Sequence, residues 1–367
     1  MPDQVLRDLR PDPGQLSSPG LMSPPEETGL EKICLFPEKL AALGRGGLDP
    51  LYPVSIELSL TSRCNLSCLW CSELALRGRS PDRLTLAHLQ ALFADLAAGG
   101  TRGVTIEGGG EPTLAPFFAE ATRAATRLGL QVGLITNGLT LCQPQTTQSP
   151  PASFYRLFQW IRVSLDATCR EEYLSLKGAD GFELALANLR RLASWRGPTV
   201  GVGYVLTNRN DEPQRLWALG QTLRDLGVAY LQLRPVVDHP ELTSHRSLEF
   251  LKELGTPEFA VNIAAMTDNQ GAGNDGLPCR AHSLAAVITA DGAMWLCGRL
   301  SQDPQAGPVG YLTQTSFRDL WAGPTRAAQA ALAAQGDFCR GHCPPCRMTK
   351  YNRLLSRLER IRTRDFI

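Results

Sequence analysis

Apolar and polar positions alternate along Val54–Leu60: Ile56, Leu58 and Leu60 are set against Ser55, Glu57 and Ser59. That two-residue period predicts a half-buried strand. The period then lengthens. Leu86, Leu89, Phe93 and Leu96 fall on one face of a helix that stops at Gly99-Gly100. From there the two periods trade places along the chain. Strands are predicted at Gly103–Glu107, Leu130–Thr136, Ile161–Leu165, Val200–Leu206 and Tyr230–Leu233. Helices fall around Phe117–Leu128, at Phe182–Trp195 and along Leu216, Leu219, Leu223 and Leu226. Strands alternating with amphipathic helices imply an α/β fold with a parallel sheet and right-handed crossovers. Six such units over about 185 residues fall short of the eight that close a full TIM barrel. Ligands of such sheets sit at the carboxyl ends of the strands, so the residues just after each strand are the candidates for chemistry.

The flanks read differently. Residues 1–30 hold six prolines among Gly, Ser, Asp and Glu without a sustained period, the composition of a flexible leader. A short helix at Pro37–Leu43 would close the bottom of a barrel or lie against it. Between Glu31 and Leu51 there is too little chain for a peptide-recognition domain, which counts against a leader-peptide substrate. After Val237 the composition turns mixed polar and Gly-rich, and Asn269–Gly276 looks like a flexible crossing. Apolar runs then flank Asp291-Gly292, a two-residue hairpin signal between Ala285–Thr289 and Met294–Leu296. The boundaries that follow are 1–30 leader, 31–237 core with an N-terminal extension, 238–352 second domain and 353–367 basic helix. That last helix sets Arg353, Arg357, Arg360 and Arg364 around Leu354, Leu355, Leu358 and Ile361. Such helices pack their leucines and leave the arginines in solvent.

Charge and composition exclude several classes. The chain has 367 residues with 37 basic against 36 acidic side chains, which leaves no field for nucleic acid or an anionic membrane. No apolar run reaches transmembrane length and no secretory pattern opens the sequence, so a cytoplasmic protein is expected. Eleven cysteines in that setting point to metal or redox use rather than disulfides. Cys34, Cys142 and Cys169 read as buried apolar residues.

The chemistry concentrates where the strands end. Cys64, Cys68 and Cys71 follow the first strand at the spacing CxxxCxxC, and clustered thiolates select zinc or iron–sulfur. Three local ligands leave one corner of a four-iron cluster open to a substrate, since ferredoxins fill four corners with four cysteines. Gly108-Gly-Gly-Glu-Pro-Thr-Leu114 ends the second strand, and consecutive glycines let backbone approach a ligand. Ser164-Leu-Asp166 ends the fourth. Asn137, Asn208, Arg234 and Glu107 lie at the same rim, where each also suits a bland turn or solvated role.

The CxxxCxxC loop resembles the cluster loop of radical S-adenosylmethionine (SAM) enzymes, over roughly residues 53–352. The resemblance implies an open (β/α)6 partial barrel, with Cys64, Cys68 and Cys71 on a [4Fe-4S] cluster whose open iron is chelated by SAM. Reductive cleavage of SAM then yields a 5′-deoxyadenosyl radical. It implies Trp70 as an aromatic against SAM, Gly109, Gly110 and Glu111 as holders of its ammonium group, and Ser164 and Asp166 as partners of its ribose or carboxylate.

Further on, Cys279, twelve residues, Gly292, four residues and Cys297 precede Cys339-Arg-Gly-His-Cys343-Pro-Pro-Cys346. On spacing alone zinc is a fair competitor. Beside such a core, the signature resembles the SPASM/twitch extension, as does Gly310-Tyr-Leu through Trp321. The resemblance implies Cys279, Cys297, Cys343 and Cys346 on an auxiliary [4Fe-4S] cluster. Five cysteines beyond Val237 are too few for two auxiliary clusters, so one is expected. Cys339 is then an alternative ligand, a catalytic thiol near the substrate or an inert neighbour. His342 reads as a turn residue. The expected activity is dehydrogenation of a carbinol C–H in a small polar natural product such as an aminocyclitol, aminoglycoside or sugar. The auxiliary cluster would accept the electron, and a flavodoxin or ferredoxin would serve as reducing partner. The alternatives are epimerisation of the same substrates, crosslinking or epimerisation of a ribosomal peptide, and a non-enzymatic zinc module, against which the Gly-Gly-Glu run argues.

Overall fold

The computed structural model describes residues 30–44, 49–71, 81–142, 150–195, 197–264, 276–303, 305–335, 338, 346 and 348–360. The expected leader, the crossing at Asn269–Gly276 and the residues Cys339, His342 and Cys343 lie outside them, apart from Leu30 and Gly276.

All six predicted strands form: β1 Ser55–Leu58, β2 Gly103–Ile106, β3 Gln131–Thr136, β4 Phe158–Ser164, β5 Thr199–Leu206 and β6 Tyr230–Pro235. They pair in parallel in sequence order. The intervening helices are α2 Leu86–Ala98, α3 Phe118–Arg127, α4 Ala152–Tyr155, α5 Arg170–Lys177, α6 Phe182–Ser194 and α7 Pro213–Asp225, with α1 Pro37–Gly44 before the sheet. Alternation along the strands divides the sheet into two faces. Ile56, Leu58, Val104, Ile106, Val132, Leu134, Ile161, Val163, Leu231 and Leu233 are buried in one core with Leu89, Phe93, Leu189, Leu216 and Leu223 of the helices. Each such side chain contributes about 1.5–3 kcal/mol by leaving water. The residues between them, Glu57, Thr105, Ile135, Arg162, Val205 and Gln232, are only half-buried and line the inner wall. Gly133 and Gly201 make room on that wall. A Cβ on either would fall about 2 Å from the rings of Trp160 and Tyr230.

The sheet does not stop at residue 237. A seventh strand, β7 Ala260–Ile263, extends it beyond β6. The predicted hairpin forms as β8 Ala285–Ile288 and β9 Ala293–Trp295. β8 also pairs in parallel with β1, Glu57 opposite Val287, and β10 Gly310–Tyr311 closes the order β10-β9-β8-β1-β2-β3-β4-β5-β6-β7. The auxiliary segment is therefore a continuation of the barrel wall. Arg299, just beyond β9, donates from Nη2 to both carboxylate oxygens of Asp238, just beyond β6, at 2.9 and 2.8 Å. Those strands belong to opposite ends of the sheet, so the pair spans the side of the barrel that the sheet leaves open.

Among the described residues the C-terminal part also holds helices α8 Phe317–Ala322, α9 Pro324–Ala333 and α10 Thr349–Glu359. Leu43 of α1 and Leu355 of α10 pack with Ile33, Ala281 and Leu284 against Val54. The predicted short helix thus lies under the start of β1, and of the basic helix's leucines Leu355 is buried and Leu354 and Leu358 half-buried, with Ile361 and Arg364 outside the described residues. Beside them Lys39 pairs with Asp49, and the Arg326 guanidinium lies 3.6 Å from the centre of the Trp321 ring.

Candidate active site

The three cysteines sit on a loop that runs from the end of β1, and its neighbours grip it from three sides. Asp82 holds the first turn, accepting from Thr61 Oγ1 at 2.5 Å and from the Ser62 amide and hydroxyl at 2.9 and 2.6 Å. Burial pulls the Asp82 carboxyl upward, but the Ser62 and Thr61 hydrogen bonds outweigh it and hold the group below the usual range. On the second side the Gly110 and Glu111 amides donate to the Thr61 and Arg63 carbonyls, both at 2.8 Å. This contact explains the paired glycines. Gly109 has φ +61°, and a Cβ on Gly110 would stand 1.9 Å from the Arg63 carbonyl oxygen. These glycines allow a close approach to the cluster loop itself. On the third side the Ser67 and Leu69 amides donate to the Lys177 and Leu176 carbonyls at the end of α5, both at 2.9 Å. Gly178, left-handed at φ +74°, ends that helix and frees those carbonyls to face the loop.

Cys64, Cys68 and Cys71 are all half-buried, with the Cys71 amide donating to the Cys68 carbonyl at 3.1 Å. Burial pushes the Cys68 thiol up to about 11; Lys177 opposes this, and Asp166, Cys71 and Cys64 add to it. Trp70 is half-buried on the same loop. Among the described residues no three His, Cys, Asp or Glu side chains close up as the ligands of a single ion. A four-iron cluster sets its thiolates on separate irons.

Glu111, which the resemblance assigns to the SAM ammonium group, accepts hydrogen bonds on both carboxylate oxygens. It is 2% exposed. Its Oε1 accepts from the Thr113 amide at 3.2 Å and from the Thr113 and Thr136 hydroxyls at 2.6 Å, while Oε2 accepts from the Asn137 amide at 2.7 Å. Burial raises its pKa against those hydrogen bonds. Glu111 knits the end of β2 to the end of β3. Asn137, also buried, passes the grip onward: its Nδ2 donates to Asn65 Oδ1 of the cluster loop at 2.7 Å. Asn208 is a turn residue, its side chain donating to the Glu241 carbonyl.

Asp166 is likewise enclosed. It is left-handed at φ +57°, its Oδ1 accepts from the Val205 amide at 2.6 Å, and its Oδ2 lies 2.7 Å from Lys177 Nζ. Lys177 is 1% exposed and also donates to the Ser164 carbonyl at 2.5 Å. Burial works against its charge, yet Asp166 and then Cys68 raise its pKa to about 12. The structure thus brings Ser164 and Asp166 together with a lysine that sequence reasoning missed. A lysine before a glycine at a helix end carries the signal of an ordinary cap. Arg162, deeper on the inner wall, donates to Gln232 at 2.8 Å.

Of the auxiliary residues, Cys279 and Cys297 meet in one small cluster with Leu296, Leu300, Ala333, Trp295 and Phe338. The Asn352 side-chain amide donates to Cys279 Sγ at 3.6 Å and the Met348 amide to Cys346 Sγ at 3.4 Å. N–H groups aimed at sulfur suit thiolate ligands of an iron–sulfur cluster. Beside Cys297, a Cβ on Gly298 would stand 3.6 Å from Glu57 Oε2, which sets this region against the inner wall of the barrel.

The family model of the radical SAM superfamily matches residues 58–216, and that of the SPASM iron–sulfur cluster-binding domain matches residues 279–347. The chain belongs to the radical SAM superfamily. The first domain implies SAM with a four-iron cluster and the second implies auxiliary iron–sulfur clusters. The protein is therefore a radical SAM enzyme, and the residues around Cys64, Cys68 and Cys71 and around Cys279 and Cys297 fit those groups. Mycofactocin maturase MftC of Mycobacterium tuberculosis is 26% identical over 321 residues, covering 81% of this chain and 79% of that protein. The PqqA peptide cyclase of Gluconobacter oxydans is 29% identical over 184 residues, covering 50% and 49%. Among solved structures, Streptococcus suis SuiB bound to its precursor peptide SuiA shares the fold at a TM-score of 0.63 and 15% identity, covering 96% of this chain and 83% of that one. Among the described residues no helix is long and apolar enough to cross a membrane.

Proposed function

We propose that this radical SAM enzyme oxidatively modifies a peptide. The observation that carries the reading is that this chain is similar to a peptide cyclase in sequence and follows, over 96% of its length, the fold of a protein bound to a precursor peptide. The small-carbinol reading, by contrast, rests on the cysteine count and on the short segment between Glu31 and Leu51. The groups at Cys64, Cys68 and Cys71 supply hydrogen abstraction when bound.

The chain's own residues do the rest. The inner wall, with Glu57 on β1 and Arg162 and Gln232 on β4 and β6, offers a side chain entering the barrel both anionic and cationic partners. Glu57 lies between that wall and the Cys297 turn, so a substrate held there is close to the auxiliary site. We assign a single auxiliary cluster to Cys279, Cys297, Cys343 and Cys346, with Cys339 spare.

The test is anaerobic turnover of the reconstituted enzyme with SAM and dithionite. The substrates are the peptides encoded by short reading frames beside the gene and, separately, a 2-deoxystreptamine-type aminocyclitol. A peptide product lighter by a pair of hydrogens, with fragment ions placing the change on one residue or one crosslink, supports the reading. Turnover of the aminocyclitol with every peptide untouched would restore the small-molecule alternative.

A further inference from the structure

The C-terminal helix α10 buries a polar side chain that bridges the backbone beside Cys279 and the Cys279 sulfur itself. Asn352 is 1% exposed. Its Oδ1 accepts two backbone amides, from Arg280 and Ala281, both at 2.8 Å. An amide nitrogen accepts no hydrogen bond, so those two donors fix which way the side chain points. The Nδ2 group must then face the other way, where it meets Cys279 Sγ at 3.6 Å. A neutral thiol is a weak acceptor and a poor return for burying an amide, whereas a thiolate on a cluster is an anionic one.

A second contact at the start of the same helix points the same way, the Met348 amide donating to Cys346 Sγ at 3.4 Å. At the far end of α10, Glu359 pairs with Arg280 at 2.8 Å, anchoring the helix to the residue after Cys279. Both sulfurs that receive these bonds belong to the matched SPASM segment.

We infer that α10 sets the reduction potential of the auxiliary cluster, with Asn352 as the positioning residue that donates to the Cys279 thiolate. This rests on Cys279 being a ligand. N–H bonds to cluster sulfur stabilise the reduced, more negative state more than the oxidised one, so they raise the potential. The couple gains one electron and no bond is made or broken. Asn352 therefore makes the cluster a better acceptor for an electron leaving an oxidised substrate, whatever that substrate is.

Asn352→Asp keeps an oxygen for the two backbone amides and removes the donor. The experiment is an anaerobic potentiometric titration of the fully reconstituted protein, followed by electron paramagnetic resonance. The SAM-site cluster in the same sample serves as internal control. We expect the auxiliary couple of Asn352→Asp to favour its oxidised form about tenfold more than wild type, a shift of about 59 mV to the negative side, with the SAM-site couple unmoved. An unmoved auxiliary potential, or equal movement of both couples, overturns the assignment.

Should that variant fail to keep its auxiliary iron, the wild-type protein decides. Pulsed resonance of the reduced auxiliary cluster in protein labelled with [15N]asparagine must show a weak 15N coupling that is absent from unlabelled protein. Its absence refutes the bond. Cys279→Ala retaining the auxiliary cluster would remove the premise. None of these readouts depends on peptide turnover, so failure of the functional reading is seen separately.

Discussion

Replacing Lys177 by methionine removes the cation that two enclosed groups share, the Asp166 carboxylate at 2.7 Å and the Ser164 carbonyl at 2.5 Å. Two routes to the magnitude give different answers, and the difference is informative. A lysine pKa raised from 10.5 to about 12 on folding corresponds to about 2 kcal/mol of stability. Because the folded value is the higher one, that contribution is complete below pH 10.5 and fades as pH rises through about 12. Deleting the lysine costs more, since it strands Asp166 as a buried anion, and breaking one side of a buried pair costs about 3–5 kcal/mol. With an unfolding entropy of roughly 2.1 cal/mol/K per residue, 367 residues convert that into a fall of about 4–6 °C in melting temperature. Differential scanning calorimetry at a fixed scan rate measures it. Asp166→Asn in the same chain removes the stranded charge and keeps an acceptor for the Val205 amide, so the double variant should regain more than half of the loss. A Lys177→Met protein melting within a degree of wild type, or a double variant less stable than the single one, would refute the ion-pair account.

Three further outcomes are expected. Gly110→Ala drives a Cβ into the Arg63 backbone, so the reconstituted variant should lose the SAM-site cluster, about half of its iron, while an intact iron count would show that the loop can yield. Glu111→Gln should lower stability by about 1–3 kcal/mol through mismatched buried donors and weaken SAM binding only in step with it; weakened SAM binding at unchanged stability would place the carboxylate on SAM. His282, whose pKa is lowered to about 3 by burial and then by Arg326, Lys39 and Arg280, must stay neutral to remain folded. Its depressed value means stability is complete above pH 6.5 and is lost as pH falls toward 3, about 2 kcal/mol by pH 5. His282→Gln should flatten the calorimetric melting profile between those limits, and a profile parallel to wild type would show that other groups govern acid unfolding.

Local signals made much of this molecule legible. Cys64, Cys68 and Cys71 lie within eight residues, β1 announces itself by its own alternation, the other core strands by short apolar runs between helical segments, and the hairpin by Asp291-Gly292. What escaped depends on partners far along the chain. β7 is four residues long and is a strand only because β6 offers an edge. Nothing local in Ala285–Ile288 indicates that its other neighbour is β1, more than two hundred residues earlier. α5 is two turns long with a weakly apolar face, and Lys177 at its end meets Asp166 only because that residue adopts a left-handed backbone. Glu111 was visible as a functional position, but not that its two oxygens would be consumed by Thr113, Thr136 and Asn137, which converge only once β2 and β3 are paired.

The Arg299–Asp238 contact has a mechanical consequence. Everywhere else around the barrel, adjacent walls are stitched by backbone ladders, and parting them would cost many hydrogen bonds at once. Across the open side the two halves are joined here by a partly exposed ion pair, and such pairs are worth about 0–1 kcal/mol. That is comparable to thermal energy and is weakened by salt, with a screening length of about 8 Å at physiological ionic strength. Among the described residues the barrel wall thus has a seam held by charge where the rest is held by backbone ladders, and opening there should respond to ionic strength.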